Sequence, residues 1–150
     1  METVNNTTME KLSGLLYSLS VTKEEFEIVA DEIEDTNLKT ALNGLSLESN
    51  QYANELCLQL KKFGISFPKP SLNELNGSNS MSFDEVDHAP GNELMYICRR
   101  NENYLLTAYR NMLNEYLPMP VLRDIMLYQL DALKCAFMKI NLLNTARFSV

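Results

Sequence analysis

Residues 38–64 read LKTALNGLSLESNQYANELCLQLKKFG. The stretch holds no proline, and Leu38, Leu42, Leu45, Ser49, Tyr52, Leu56, Gln59 and Phe63 step by four and three in turn. That spacing sets them on one stripe of a helix, ready to face a partner helix. Lys61 and Lys62 sit in the last turn, where positive charge suits the negative end of the helix dipole. Gly64 follows and can take the left-handed conformation that ends a helix.

Upstream the same rhythm recurs. Met9, Leu12, Leu16, Leu19, Lys23, Phe26, Ala30 and Ile33 keep the three-four spacing, with Lys23 the one break in the apolar stripe. Thr7 with Glu10 fits a capping box, in which the hydroxyl takes an orphan amide proton and the carboxylate reaches back. A first helix is expected over about 7–34. The polar turn Glu34-Asp35-Thr36-Asn37 follows, and Asp35 or Thr36 can cap a second helix over about 37–63. So short a connection makes the two an antiparallel hairpin.

Downstream the composition shifts. Residues 65–91 hold three of the five prolines and five serines, the marks of a connection and not of a helix. Phe67, Leu72, Leu75, Met81 and Phe83 within it are suited to lie down on a helical core. A third helix is expected over about 92–117, with Leu94, Cys98, Asn101, Leu105, Ala108 and Met112 on its stripe, stopped by Leu117-Pro118-Met119-Pro120. Pro120 suits the first position of a fourth helix, where its missing N–H costs nothing. That helix, over about 120–145, carries Leu122, Met126, Gln129, Leu133, Ala136, Ile140 and Leu143 on one side. Two hairpins joined by a long crossover predict a single all-α domain spanning 1–150, an antiparallel four-helix bundle. A crossover of that length can run the height of a bundle, make helices 2 and 3 parallel and give ferritin-like topology.

Charge and length limit the function. The 150 residues suffice for one core. The net charge of −7 disfavours a phosphate-backbone binder, so no nucleic-acid partner is expected, nor an anionic membrane surface. No run approaches the roughly 18 apolar residues of a membrane span. METVNNTTMEK lacks the order of a signal peptide. Cys57, Cys98 and Cys135 are dispersed, with no CxxC pair, and read as reduced thiols. A cytoplasmic location is expected.

The chain resembles the ferritin-like four-helix-bundle family of bacterial proteins of unknown function. The likeness lies in Glu24-Glu25-Phe26, Val29-Ala30 and Asp31-Glu32-Ile33, and continues through Asp35-Thr36-Asn37-Leu38-Lys39. Glu48, Tyr52-Ala53, Glu55-Leu56 and Phe63-Gly64 extend it along helix 2. Cys98, Glu102, Ala108, Tyr109, Leu117-Pro118 and Gln129 carry it through the second hairpin. The chain departs from the family at Arg99, where Glu is usual, at Asn101, where Gly is usual, and at Phe137, where His is common. It also has no Trp, which the family's crossover carries. These departures weaken an inherited site more than the inherited fold.

A ferritin-like dimetal site needs Glu from two helices and Glu-x-x-His from the other two. This chain has no Glu-x-x-His, and its single histidine, His88, lies in the crossover. Glu24, Glu48, Glu55 and Glu102 flank the stripes. No metal, cofactor or catalytic residue is assigned from the sequence, and an enzyme is not expected. Lys23 and Glu48 lie about equally far from the first turn, which predicts a Lys23–Glu48 contact; the lysine either snorkels and fixes register or is buried for amine chemistry. Lys23, Ser49, Asn101 and Gln129 are the polar positions at which a carrier cavity would form. A second stripe on helix 4, Tyr128, Cys135, Met138 and Leu142 interrupted by Asp131, faces away from its seam. Either Phe67, Leu72 and Phe83 of the crossover cover it, or a second molecule does. The function expected is an uncharacterised, non-catalytic helical bundle acting by self-association or partner binding. The alternative is a divergent di-iron-type metal-binding or redox protein using Glu24, Glu55 and Glu102.

Overall fold

A computed structural model describes residues 6–66, 92–115, 117 and 119–146, with side chains in the third helix described from residue 96. Four helices account for nearly all of these: α1 (Asn6–Glu32), α2 (Thr36–Lys62), α3 (Asn92–Leu113) and α4 (Pro120–Ala146). No strand occurs among the described residues. Each helix packs on two others: α1 against α2 and α3, and α4 against α2 and α3. The pairs α1/α4 and α2/α3 therefore stand on the diagonals of a square, with one core between all four. Phe26 of α1 and Phe137 of α4 meet across one diagonal, ring centroids 6.0 Å apart at 67°, an edge-to-face pair.

The ends follow local chemistry. Asp35 caps α2, its Oδ1 accepting the Leu38 N–H at 2.9 Å. At the other end Gly64 sits at φ 77° and is the left-handed residue expected there. The Gly64 N–H donates to the Lys61 carbonyl and the Ile65 N–H to the Leu60 carbonyl, both at 3.0 Å. This is the Schellman arrangement, and Ile65 packs on the core beyond it. Pro120 opens α4, and the buried Met119 before it accepts from the Leu122 and Arg123 N–H groups. α1 is helical from Asn6, the first described residue, so Thr7 lies inside the helix and is not its N-cap. α1 stops at Glu32, two residues short of the expected end. α3 stops at Leu113 and not at 117; the Arg123 guanidinium donates to the Leu113 carbonyl at 2.6 Å and closes the helix there.

The buried stripes differ from strict three-four spacing in a regular way. In α2 the stripe leaves the heptad line after Leu56: Leu60 is buried, Gln59 is half-buried and Phe63 is exposed. A straight helix drifts about 20° per heptad against a 3.5-residue repeat, so over 27 residues the last members of such a line turn out of the core. In α1 the core position is Thr22 and not Lys23, which lies at the margin. Thr22 is tolerated inside because its hydroxyl donates to the Ser18 carbonyl at 2.9 Å. In α3 Tyr109 is buried where Ala108 was expected, and in α4 Phe137 and Asn144 are buried where Ala136 and Leu143 were expected. The crossover residues Phe67, Leu72, Leu75, Met81 and Phe83, like His88, fall outside the described residues.

Candidate functional site

Among the described residues nothing covers the second stripe on α4. Tyr128 is 66% exposed, Met138 56% and Leu142 65%, and Cys135 is exposed as a free thiol. Val121 and Leu127 are exposed beside them. Val121, Tyr128, Cys135 and Leu142 recur at every seventh residue, and that interval holds them on a single line down the helix. The core residues of α4, Leu122, Met126, Gln129, Leu133 and Ile140, occupy the opposite side. Tyr128 leans on α2, its ring edge-on to Tyr52 with centroids 6.4 Å apart. Four exposed charges accompany the line: Asp124, Asp131, Lys134 and Lys139.

Two polar clusters are built into the core, and sequence reasoning found only parts of them. The first joins α1 to α3. Glu25 and Arg100 form an ion pair in which both side chains are largely buried. Asn101 donates to the same carboxylate oxygen at 3.2 Å and to the Ile97 carbonyl at 3.0 Å, and its Oδ1 is the longer, second acceptor of the shared Thr22 hydroxyl proton at 3.3 Å. Glu25 Oε1 and Arg100 Nη1 are buried without a hydrogen-bond partner. Burial pushes the Glu25 carboxyl above its ordinary range, against the pull of Arg100 and Asn101. The signal that could have revealed this cluster was Asn101 on the α3 stripe, which needed a polar partner from α1.

The second cluster joins α2, α3 and α4. The buried Tyr109 hydroxyl donates to Gln129 Oε1 at 2.8 Å. Gln129 Nε2 reaches the Tyr52 carbonyl and Glu55 Oε2, each at 3.4 Å. Tyr52 donates its hydroxyl to Glu48 at 2.5 Å. Burial raises the Tyr52 and Tyr109 hydroxyls above their ordinary range. Both tyrosines therefore remain proton donors at neutral pH.

The expected Lys23–Glu48 pair is not formed. Lys23 binds Glu27 at 2.9 Å and Glu24 at 3.6 Å on its own helix, and Glu48 is taken by Tyr52. The level was nearly right: the Ser46 hydroxyl donates to the Lys23 carbonyl at 2.9 Å, so Lys23 stands opposite Ser46, two residues from Glu48. The hydrogen bond that Lys23 donates to Glu27 raises the lysine's pKa, so the ammonium stays charged and is not primed for amine chemistry.

The four polar carrier positions do not gather either. Asn101 lies near the Lys23–Ser46 level, while Gln129 meets Tyr52, six residues or about 9 Å further along α2. The Ser49 hydroxyl is buried without a partner. Nor do the carboxylates of the dimetal alternative converge: Glu24 adjoins Lys23 at the Ser46 level, and Glu55 lies nine residues, about 13 Å, beyond it. Among the described residues no three His, Cys, Asp or Glu side chains are grouped to hold a metal ion. Cys98 is buried and its thiol is pushed up to about 12. Among the described residues, no helix is long and apolar enough to cross a membrane.

Compared with protein-family models, with curated proteins and with solved structures, the sequence matches none of them. What the fold and site define is thus a class and no more: a four-helix, all-α bundle whose apolar core holds two polar clusters, with one apolar face of α4 exposed among the described residues.

Proposed function

We propose that this chain is a non-catalytic helical bundle of ferritin-like topology that works by association, with itself or a partner, through the outer face of α4. The observation that carries the reading is the exposed line Val121, Tyr128, Cys135 and Leu142, flanked by Leu127 and Met138. Large apolar side chains exposed singly need no explanation, but a contiguous line along one helix marks a surface that is covered in use.

The topology part rests on residue pairings. Lys11 pairs with Glu115, Thr22 with Asn101 and Glu25 with Arg100, so numbers fall on α3 as they rise on α1. Tyr109 with Gln129 and Leu113 with Arg123 do the same between α3 and α4. Only three residues separate α1 from α2, and Ser46 of α2 bonds the Lys23 carbonyl of α1, which supports a reversal there too. Opposed directions in those three pairs would put α2 and α3 parallel, which supports the ferritin-like reading. The non-catalytic part is supported by the scatter of the carboxylates and by the buried, protonated Cys98 thiol.

Sedimentation velocity over a range of concentrations tests the reading. The wild-type chain should gain mass with concentration or with an added partner. Leu142→Lys and Met138→Lys should stay monomeric and keep wild-type helicity, because both sites are exposed. Unchanged association in both variants would end the proposal.

A further inference from the structure

The charges along the α4 face are distributed unevenly. Asp124 and Asp131 lie in its N-terminal half and Lys134 and Lys139 in its C-terminal half, all four exposed. The face is therefore neutral in sum, on a chain whose net charge is −7. Copies of an acidic chain repel one another, and a neutral strip is where approach is least opposed. The sequence along the strip is also self-complementary when read against its own reverse. Position 121 falls opposite 142, 128 opposite 135, and 124 opposite 139. The pairs so made are Val121 with Leu142, Tyr128 with Cys135, and Asp124 with Lys139. On the other margin of the face, a shift of two residues sets Leu127 against Met138 and Asp131 against Lys134. In the parallel sense each aspartate would meet an aspartate and each lysine a lysine.

We infer that the outer face of α4 pairs antiparallel with the same face of a second copy of this chain, about a twofold axis near Ala132. The inference rests on the proposed use of that face and adds the partner and the direction. A twofold, isologous contact satisfies both copies at once and closes the assembly at two. Val121 to Leu142 spans about 32 Å of helix, one helix wide, which is small beside the roughly 800 Å² per partner of a standard interface. The dimer is accordingly reversible and dissociates on dilution. Arg123 lies more than a quarter-turn around the helix from this line, where its guanidinium donates to the Leu113 carbonyl of α3.

The test uses the full chain in sedimentation velocity, with cross-linking by a mild oxidant and mapping of the disulfides. Asp124→Lys and Lys139→Asp should each weaken the dimer about tenfold, because like charges then face each other twice across the axis. The double exchange Asp124→Lys with Lys139→Asp should restore the wild-type constant to within about threefold, as the opposite pairs are re-formed in reverse. Tyr128→Cys should gain a disulfide to Cys135 of the second copy. The same two positions within one helix stand seven residues, about 10 Å, apart and cannot bridge. In the wild type, Cys135 should not link to Cys135.

A dimer that Leu142→Lys abolishes but the charge exchange does not restore, or that yields a Cys135–Cys135 link, overturns the antiparallel pairing and leaves the face in use. A dimer indifferent to Leu142→Lys overturns both. A wild-type chain that is monomeric at every concentration overturns the self-pairing, and capture of a different protein by the same face would then identify the other occupant.

Discussion

Burying a carboxylate costs free energy unless its partners replace the water it loses, and Glu25 is only partly compensated. Arg100 and Asn101 both serve Oε2, while Oε1 is left without a partner. The carboxyl therefore titrates above its ordinary value of 4.5, with burial the largest cause. A pKa higher in the folded than in the unfolded chain means that folding tightens proton binding. Glu25 then contributes stability below about pH 4.5 that is lost as pH rises through the folded pKa. Glu25→Gln, neutral at every pH, should flatten this part of the stability profile, and at pH 7 should cost about 3 kcal/mol because it leaves the buried Arg100 cation without its counter-charge. Arg100→Met removes the cation and leaves the buried carboxylate, and should cost about 3 kcal/mol at pH 7 with less loss at pH 5. Urea titrations at the two pH values measure both. Little of this site was legible beforehand. Lys23 drew attention because it interrupted an apolar stripe, yet the buried residue is its neighbour Thr22, whose hydroxyl is satisfied within its own turn. A threonine that can bond back to its helix looks polar in a sequence and behaves as apolar in a core.

At the scale of the element, the sequence was most informative where one residue settles a backbone geometry. Asp35, Gly64 and Pro120 each stand where the end of a helix was expected, because a cap, a left-handed residue or a missing N–H admits few alternatives. The end of α3 was misjudged by four residues, since what closes it is Arg123, ten residues away on the next helix. Stripes held at positions such as Leu42, Leu56, Leu105 and Leu133, but slipped by one residue at Lys23, Ala108, Ala136 and Leu143 and turned out of the core at Phe63, because a heptad line and a straight helix have different periods. Asp35 offers a clean test of local control. Its carboxylate accepts the Leu38 N–H in the only connection between α1 and α2. Asp35→Ala should cost about 1 kcal/mol, measured as a lower urea midpoint at unchanged slope, and Asp35→Asn should recover most of it. Equal loss in both variants would show that the charge at the helix start matters more than the hydrogen bond.

The two expected hairpins, α1 with α2 and α3 with α4, could in principle have made separate folding units, and what joins them is the shared interior. Phe26 and Phe137 belong to different hairpins and to helices on a diagonal, yet their rings touch and both are fully buried. Gln129 ties the second hairpin to α2 through the Tyr52 carbonyl, and Glu25 ties the first to α3 through Arg100. Contacts of that kind make neither hairpin complete alone, since each would expose its half of the core. The chain should then unfold in one cooperative step. Far-UV dichroism, which reads all four helices, and tyrosine fluorescence, which has no tryptophan to mask it, should give coincident urea curves. Phe137→Ala removes a large side chain at the point where the diagonals cross, and should lower stability by about 4 kcal/mol. Because the loss falls on contacts between the hairpins, the midpoint should move while the two probes stay coincident. If they separate in the variant, the hairpins hold themselves together more than their shared core does, and Phe137 is the residue that had kept their unfolding in step.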